Sequence, residues 1–218
     1  MPPQTEPLKN VLVTGGSGFY GHHLIAFIHT LEPTCTIYAL DIVPPRPSRQ
    51  YPNATYLTST GNAGYSLSKG VAETDVLAHN CRPGKTPMLT CALRPCTTFG
   101  PDDEAFFTNI VDVVRKGQAK YRFGTGRNLF DFIYIGNACH AHIVAASTLL
   151  TAYTKPIFPA DKRVEGEVFN ITNAEPIPFW DLTLWTAVLM GRPVADGEIV
   201  QIPLWVSVGA GRVAEWAV

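Results

Sequence analysis

Apolar residues in this chain fall into two patterns, short unbroken runs and longer stretches spaced by polar residues, and the two alternate. Val11-Leu12-Val13-Thr14 is an unbroken run closed by glycines, as in a strand buried on both faces. The apolar stretch from His22 to Leu31 predicts a helix, and Thr36 to Asp41 a second buried strand. Together they make one β-α-β unit. Pro44 to Pro52 holds four prolines in nine residues, which excludes a helix or a central strand there. Beyond it the pattern predicts a strand at Ala54–Thr58, a turn at Gly61–Gly64, a helix at Tyr65–Asn80 and a strand at Met88–Leu93 closed by Arg94-Pro95. Helices follow at Ala105–Lys116 and Ala138–Thr151, a strand at Val168–Thr172, and a helix at Phe179–Met190 with Gly191 just past its end. The apolar stretch Ile199–Val218 predicts a core helix, with an amphipathic element on a membrane surface as the alternative. No internal repeat is present.

This alternation predicts an α/β fold, a Rossmann-like doubly wound parallel sheet with a smaller C-terminal lobe. The length, 218 residues, suits one domain with a small lobe, divided into a nucleotide-binding part at 1–104 and a mixed segment at 105–218 that serves both. Apolar residues are 46% of the chain, enough for a substantial core, and charged residues only 16%, below the usual quarter or so. With a net charge of -1 there is no basic field to hold phosphate backbones, which excludes nucleic acid as a partner. Five scattered cysteines, Cys35, Cys81, Cys91, Cys96 and Cys139, include no C-x-x-C pair. That pattern fits a reducing compartment and excludes both a disulfide framework and a zinc site. Met1–Asn10 is polar and proline-rich, so no secretory leader is expected. No run reaches the roughly 18 apolar residues of a membrane span.

The first chemical motif joins strand to helix. Gly16-x-Gly18-x-x-Gly21 matches G-x-G-x-x-G, and its place inside a β-α-β unit gives that common pattern its weight. Glycines let the chain turn out of the strand, let the backbone approach a pyrophosphate, and let the helix pack closely on the sheet. The helix N-terminus then offers free N–H groups to the phosphates. Gly15, Gly16, Ser17, Gly18, Phe19, Tyr20 and Gly21 are the candidate cofactor-binding loop. Asp41 ends the second strand twenty residues after Gly21, where a carboxylate accepts hydrogen bonds from ribose hydroxyls and repels a 2′-phosphate. This favours NAD over NADP, although Arg46 and Arg49 nearby are the kind of residue that accepts the extra phosphate.

The second motif is Tyr65-Ser66-Leu67-Ser68-Lys69. Residues four apart share a helix face, so the lysine ammonium lies near the phenol. It stabilises the phenolate and lets the tyrosine exchange protons near neutral pH. Both motifs recur together, with Gly70-Val71-Ala72-Glu73, Ala92-Leu93-Arg94-Pro95, Phe99-Gly100-Pro101 and Asn128 through His142, in the extended short-chain dehydrogenases/reductases. The chain resembles, within that group, the 3β-hydroxysteroid dehydrogenase family. The resemblance implies that Tyr65 is the catalytic acid/base, Lys69 its partner and a ribose ligand, and that Pro95 lies beside the nicotinamide. Asn137 is read as a packing residue, and His140 and His142 as helix-surface or core histidines. The implied activity is NAD-dependent oxidation or reduction at the 3-position of a sterol, steroid or terpenoid. The aromatic residues Phe106, Phe107, Phe130, Phe132, Trp180 and Trp185 suit a flat apolar ligand, as they equally suit an ordinary core. A homodimer, peripheral membrane contact, and residence in the cytoplasm or on the cytoplasmic face of the endoplasmic reticulum are further expectations.

The chain departs from that family between the two motifs. Tyr65 follows Gly21 by only 44 positions, where the family has further strands and helices. Two or three βα units, roughly 60–90 residues, are missing. The sheet should therefore lack central units, with unpaired edges and uncovered apolar faces. The usual catalytic Ser/Thr would fall in the lost part, and Ser59, with Thr60 beside it, is the candidate replacement. Two rivals follow: a related ketoreductase or nucleotide-sugar epimerase, and a catalytically impaired nucleotide-binding remnant acting as a scaffold or regulatory protein.

Overall fold

A computed structural model describes residues 7–58, 65–80, 88–155 and 159–206, giving the backbone alone for 65–68. In chain order the elements are β1 (Asn10–Thr14), α1 (Phe19–Leu31), β2 (Thr36–Asp41), β3 (Ala54–Thr58), α2 (Tyr65–Ala78), β4 (Ala92–Pro95), β5 (Thr97–Phe99) and α3 (Phe107–Arg115). They continue with β6 (Tyr121–Phe123), β7 (Leu129–Phe130), β8 (Phe132–Tyr134), α4 (Ile135–Thr154), β9 (Val168–Ile171), β10 (Ile177–Pro178), α5 (Phe179–Leu189) and β11 (Val200–Ile202). The chain divides into two compact units, 1–98 with 133–171, and 99–132 with 172–218.

In the first unit β1, β2 and β3 form a parallel sheet in that order, with Leu12 opposite Tyr38 and Tyr38 opposite Thr55. Partners in register point to one face, so each strand contributes alternate residues to each side. One side carries Val13, Ile37 and Ala39, all buried against Ile25 and Ile28 of α1, with Ile143 of α4 packed on the cluster. The other side is bare: Leu12 is 61% exposed, Tyr38 42% and Leu57 47%. A doubly wound sheet has helices on both faces. Among the described residues these strands have them on one.

A second parallel ladder, β4 with β9, pairs Leu93 with Phe169 and Pro95 with Ile171. Among the described residues β1 pairs only with β2 and β4 only with β9, so each keeps an open edge. Two cavities of about 600 Å³ each lie along this gap. One is walled by Leu8 and Val11 at β1, by Met88 and Leu89 ahead of β4, and by Leu149 and Tyr153 of α4. The missing central strands expected from the short spacing therefore appear as an interruption of the sheet, bordered by α4.

The second unit pairs β6 with β11 in parallel and β7 with β10 antiparallel. α3 packs against α5 around Val114, Ala119 and Ala187. Helix α3 starts at Phe107 rather than Ala105 because Asp103 accepts hydrogen bonds from the N–H groups of Ala105, Phe106 and Phe107 (2.9, 2.9 and 2.8 Å).

Two sequence expectations need correction. The strand expected at Met88–Leu93 is β4 at Ala92–Pro95, since the ladder with β9 begins there. Thr90 instead ties the end of α2 to this segment, its N–H donating to Asn80 Oδ1 (2.9 Å) and its hydroxyl to the Val76 carbonyl (3.1 Å). The stretch Ile199–Val218 does not open as a helix. Val200–Ile202 is strand β11, because Tyr121–Phe123 offers it a parallel edge, and 207–218 lie outside the described residues.

Candidate functional site

The glycine loop leaves β1 and folds over the end of β2. Gly15, at φ +70°, and Gly16 both donate their N–H to the Leu40 carbonyl, at 2.7 and 3.3 Å. Three glycines here have distinct physical reasons. A Cβ on Gly21 would stand 2.1 Å from the Gly15 carbonyl oxygen, so only glycine lets α1 pack on the loop. A Cβ on Gly16 would meet Ala39 at 2.8 Å. Gly18 differs. Its backbone is extended, at φ -73°, and a Cβ would make only a 3.4 Å contact with Gly15. Nothing in the described protein requires a glycine at 18, whereas a group approaching the backbone from outside would.

Helix α1 begins at Phe19 with no side-chain cap and no acid in its first turn, which leaves its N-terminal N–H groups for an anion. Ser17 donates its N–H to Asp41 Oδ2 (2.8 Å), and the other carboxylate oxygen accepts from Ile42 N (2.6 Å). Asp41 is thus fixed at the loop, on the strand end where a ribose would lie. These features fit a dinucleotide: a tightly turned glycine loop, a helix N-terminus and a positioned carboxylate.

The second of the 600 Å³ cavities gathers the rest of the site. Tyr20 of α1, Lys69 and Glu73 of α2, Arg94 and Pro95 of β4, and His142 of α4 line it. Lys69 and Pro95, singled out from sequence, are therefore brought together with Tyr20 of the loop. Tyr65 opens α2, one helical turn before Lys69, and its side chain is outside the described residues, as is all of Ser59.

Sequence reasoning missed His142, which it left as a surface or core histidine. The Tyr20 hydroxyl lies 3.2 Å from His142 Nδ1, and the same nitrogen is 2.9 Å from the Ala138 carbonyl. A carbonyl only accepts, so Nδ1 carries the proton, and the Tyr20 hydroxyl proton is left to point elsewhere. Burial raises the Tyr20 pKa well above the usual phenol value, with the nearby Cys139 a secondary cause. Burial thus holds the Tyr20 phenol toward its protonated form. Glu73 accepts a forked pair of bonds from Arg94, at 2.9 and 2.5 Å, and that contact lowers its pKa. The pairing of α2 to β4 had no signal beyond Glu73 following the Tyr-x-x-x-Lys motif. In the second unit five of the six aromatic residues named from sequence make ring contacts, although only Phe132 is buried: Phe106 stacks on Phe132 at 5.5 Å, Phe130 lies 5.0 Å from Phe132, Phe107 tilts on Phe99 and Trp180 on Phe123. Trp185 is half exposed.

Comparison with known proteins adds identity to this geometry. Residues 49–196 match the 3-beta hydroxysteroid dehydrogenase/isomerase family. The chain is 36% identical over 154 residues to the decarboxylating sterol-4-alpha-carboxylate 3-dehydrogenase of Saccharomyces cerevisiae, covering 70% of this chain and 41% of that protein. It is 37% identical over 142 residues to its human counterpart, covering 65% and 34%. The chain thus spans less than half of these relatives' length. Among solved structures it superposes on a dTDP-glucose 4,6-dehydratase from Bacillus anthracis in complex with NAD, with a TM-score of 0.64, 17% identity and 89% and 84% of the two chains covered. A UDP-glucose 4-epimerase from Thermotoga maritima with UDP-glucose gives a TM-score of 0.54 at 15% identity, covering 88% of each chain. At these identities the structural likeness establishes the Rossmann-type fold alone.

Proposed function

Because the chain belongs to the 3-beta hydroxysteroid dehydrogenase/isomerase family, we propose that it is an NAD-dependent oxidoreductase acting on the 3-hydroxyl or 3-keto group of a sterol, steroid or terpenoid. The observation that carries this reading is the convergence of Tyr20, Lys69 and Pro95 on one cavity, beside a loop whose Gly18 has no reason to be glycine within the protein. NAD⁺ supplies the hydride acceptor. The loop N–H groups and the α1 N-terminus hold its pyrophosphate, and Asp41 accepts the ribose hydroxyls, which favours NAD over NADP. Tyr65, as phenolate, takes the proton of the substrate hydroxyl. Lys69 one turn on stabilises that phenolate, and Ser59 is the proposed hydroxyl partner. On a substrate bearing a 4-carboxylate, oxidation at C3 leaves a β-keto acid that loses CO₂ unaided.

Thermal unfolding with and without NAD⁺ tests the first step. Cofactor at a hundred times its dissociation constant stabilises by about 2.7 kcal/mol, roughly 5–10 °C for this size. A transition that does not move refutes the reading. Turnover of a 4-carboxylated sterol, followed by NADH absorbance, tests the second. Among the described residues no helix is long and apolar enough to cross a membrane. Cytoplasmic residence or the cytoplasmic face of the endoplasmic reticulum, peripheral membrane contact and a homodimer belong to the same proposal. A second reading is favoured by the bare side of β1-β2-β3: a nucleotide-binding remnant without turnover, acting as a scaffold or regulatory protein. It predicts the NAD⁺ shift without NADH production.

A further inference from the structure

Among the described residues Tyr20 brings the only hydroxyl to the cavity lined by Lys69 and Pro95. Its backbone is fixed by Gly21, which packs so closely on the loop that a Cβ would stand 2.1 Å from the Gly15 carbonyl oxygen. Its ring meets His142 of α4 edge-on, with centroids 5.1 Å apart and planes at 60°. All of these residues belong to the first unit. The His142 contact also sets the direction of the hydroxyl. His142 Nδ1 lies 2.9 Å from the Ala138 carbonyl and 3.2 Å from the Tyr20 oxygen. One ring proton is shared between those two acceptors, so the Tyr20 oxygen accepts and its own proton is left over. Among the described residues no other group bonds that hydroxyl. Burial holds the phenol toward its protonated form. Arg94, the neighbouring donor on the wall, is already committed: Nε and one terminal nitrogen go to Glu73, at 2.9 and 2.5 Å. The Tyr20 proton is thus a positioned, neutral donor on the wall of the cavity that holds Lys69.

We propose that Tyr20 is a catalytic residue that donates its hydroxyl proton to the 3-oxygen of the steroid, with His142 as the positioning residue that aims it. The assignment rests on the oxidoreductase reading above, and the Ser59 hydroxyl named there is a second donor to the same oxygen. In the oxidation the O–H bond of the 3-hydroxyl breaks toward the Tyr65 phenolate, and the C3–H bond breaks with its electron pair toward the nicotinamide. The oxygen passes through a state more negative than in either the alcohol or the ketone. A donor already in place stabilises that state more than the states on either side of it. The Tyr20 O–H bond stays intact throughout, so the proton balance is carried by Tyr65 alone.

The test couples the Tyr20 hydroxyl to the oxygen of the ligand. The full chain, with NADH present, is titrated by calorimetry with a 3-keto steroid and with its 3-deoxy counterpart. Wild type is compared with Tyr20→Phe, which loses only the hydroxyl. The wild type should favour the ketone, and Tyr20→Phe should reduce that preference roughly 3- to 10-fold. In turnover, kcat of Tyr20→Phe should fall by roughly 10²–10³, with its pH profile unmoved. His142→Leu removes the N–H that aims the hydroxyl. It should cost part of the same preference in the wild type and nothing further in the Tyr20→Phe background, and it keeps the test open if Tyr20→Phe does not fold. Equal ketone preference in wild type and Tyr20→Phe, or no preference in the wild type, overturns the proposal. So does an equal loss of affinity for both steroids in Tyr20→Phe, because the hydroxyl then acts on packing and not on the oxygen. A ketone preference that depends on Tyr20, in a wild type that forms no NADH, overturns the dehydrogenase reading and leaves the Tyr20 contact standing.

Discussion

Replacing Gly18 and Gly21 separately by alanine divides the loop's structural role from its binding role. At Gly21 the new methyl would stand 2.1 Å from the Gly15 carbonyl oxygen, more than 1 Å inside normal contact, with backbone on both sides and no flexible end to yield. Overpacking of this kind costs about 1–3 kcal/mol or more, which lowers the melting temperature by roughly 3–10 °C in a chain of this size. At Gly18 the contact is 3.4 Å and φ is -73°, within reach of any residue. Reduced freedom of the unfolded chain and the small loss at a helix N-cap are each about 0.5–1 kcal/mol and opposite in sign. Gly18→Ala should therefore melt within about 3 °C of the wild type. Its methyl would occupy the space through which a pyrophosphate approaches. A tenfold weaker affinity reduces the stabilisation by NAD⁺, at a concentration a hundred times the wild-type dissociation constant, from about 2.7 to about 1.4 kcal/mol. The melting shift would be halved. Differential scanning fluorimetry of three proteins with and without NAD⁺ reads all of this. A Gly18→Ala protein that shifts as far as the wild type refutes the reasoning, as does a Gly21→Ala protein of unchanged stability.

Other expectations follow from single contacts. Cys139 is buried, and burial raises its pKa from 9.0 to about 11. The folded state therefore keeps its proton where the unfolded chain has lost it, so stability is full below about pH 9 and falls by up to about 1.4 kcal/mol per unit as pH rises toward 11. Urea midpoints at pH 8 and 10.5 should lie closer together in Cys139→Ala than in the wild type, and an unchanged slope would count against the burial. Leu12→Thr, on the bare side, should change stability by less than about 1 kcal/mol and reduce binding of a hydrophobic dye, whereas Ile37→Ala beneath α1 should cost about 2–5 kcal/mol. Equal losses in the two would mean that the Leu12 side is covered. Tyr20→Phe should cost about 0.5–1.5 kcal/mol and leave the pH profile of turnover in place, since its phenol stays protonated; a displaced profile would make it an acid/base group. Lys69→Met should lower kcat by roughly 10²–10⁴ near neutral pH, read by NADH formation, and wild-type turnover in that variant would remove Lys69 from the mechanism.

Much of this was legible along the chain. β1, α1 and β2 follow from Val11–Thr14, the glycines and Thr36–Asp41, because short-range periodicity and turn chemistry decide them. The loss of central strands followed from the 44-position spacing of Gly21 and Tyr65. What stayed hidden depends on pairing across long separations. Met88 and Leu89 look like strand residues, yet their segment has no ladder partner until Ala92 meets Val168. β11 has the composition of a core helix and becomes a strand because a parallel edge at Tyr121–Phe123 accepts it. His142 is indistinguishable in sequence from His140, two positions away on the same helix. Only the approach of α1 to α4 selects it, by placing Tyr20 3.2 Å from its ring.

The interrupted sheet raises the question of what holds the glycine loop and Lys69 in one site. In an unbroken doubly wound sheet, hydrogen bonds between neighbouring strands fix those positions. Here β1 and β4 do not pair among the described residues, so that route is absent. Helix α4 replaces it. Its Ile143 packs on the α1–β2 core, its His142 meets Tyr20, and its later turns line the cavity beside Met88 and Leu89. The chain length from Thr58 to Tyr65 acts in the same direction: seven peptide links reach at most about 25 Å, while two strand spacings already take about 10 Å. That reach is enough for α2 to lie at the gap, with Lys69 on the cavity there. Side-chain packing on one helix is softer than a ladder of backbone bonds. The shortening that opens the sheet should therefore weaken the positioning of Lys69 relative to the loop before it weakens the loop itself, so cofactor binding is the more robust of the two functions and hydride transfer the more fragile.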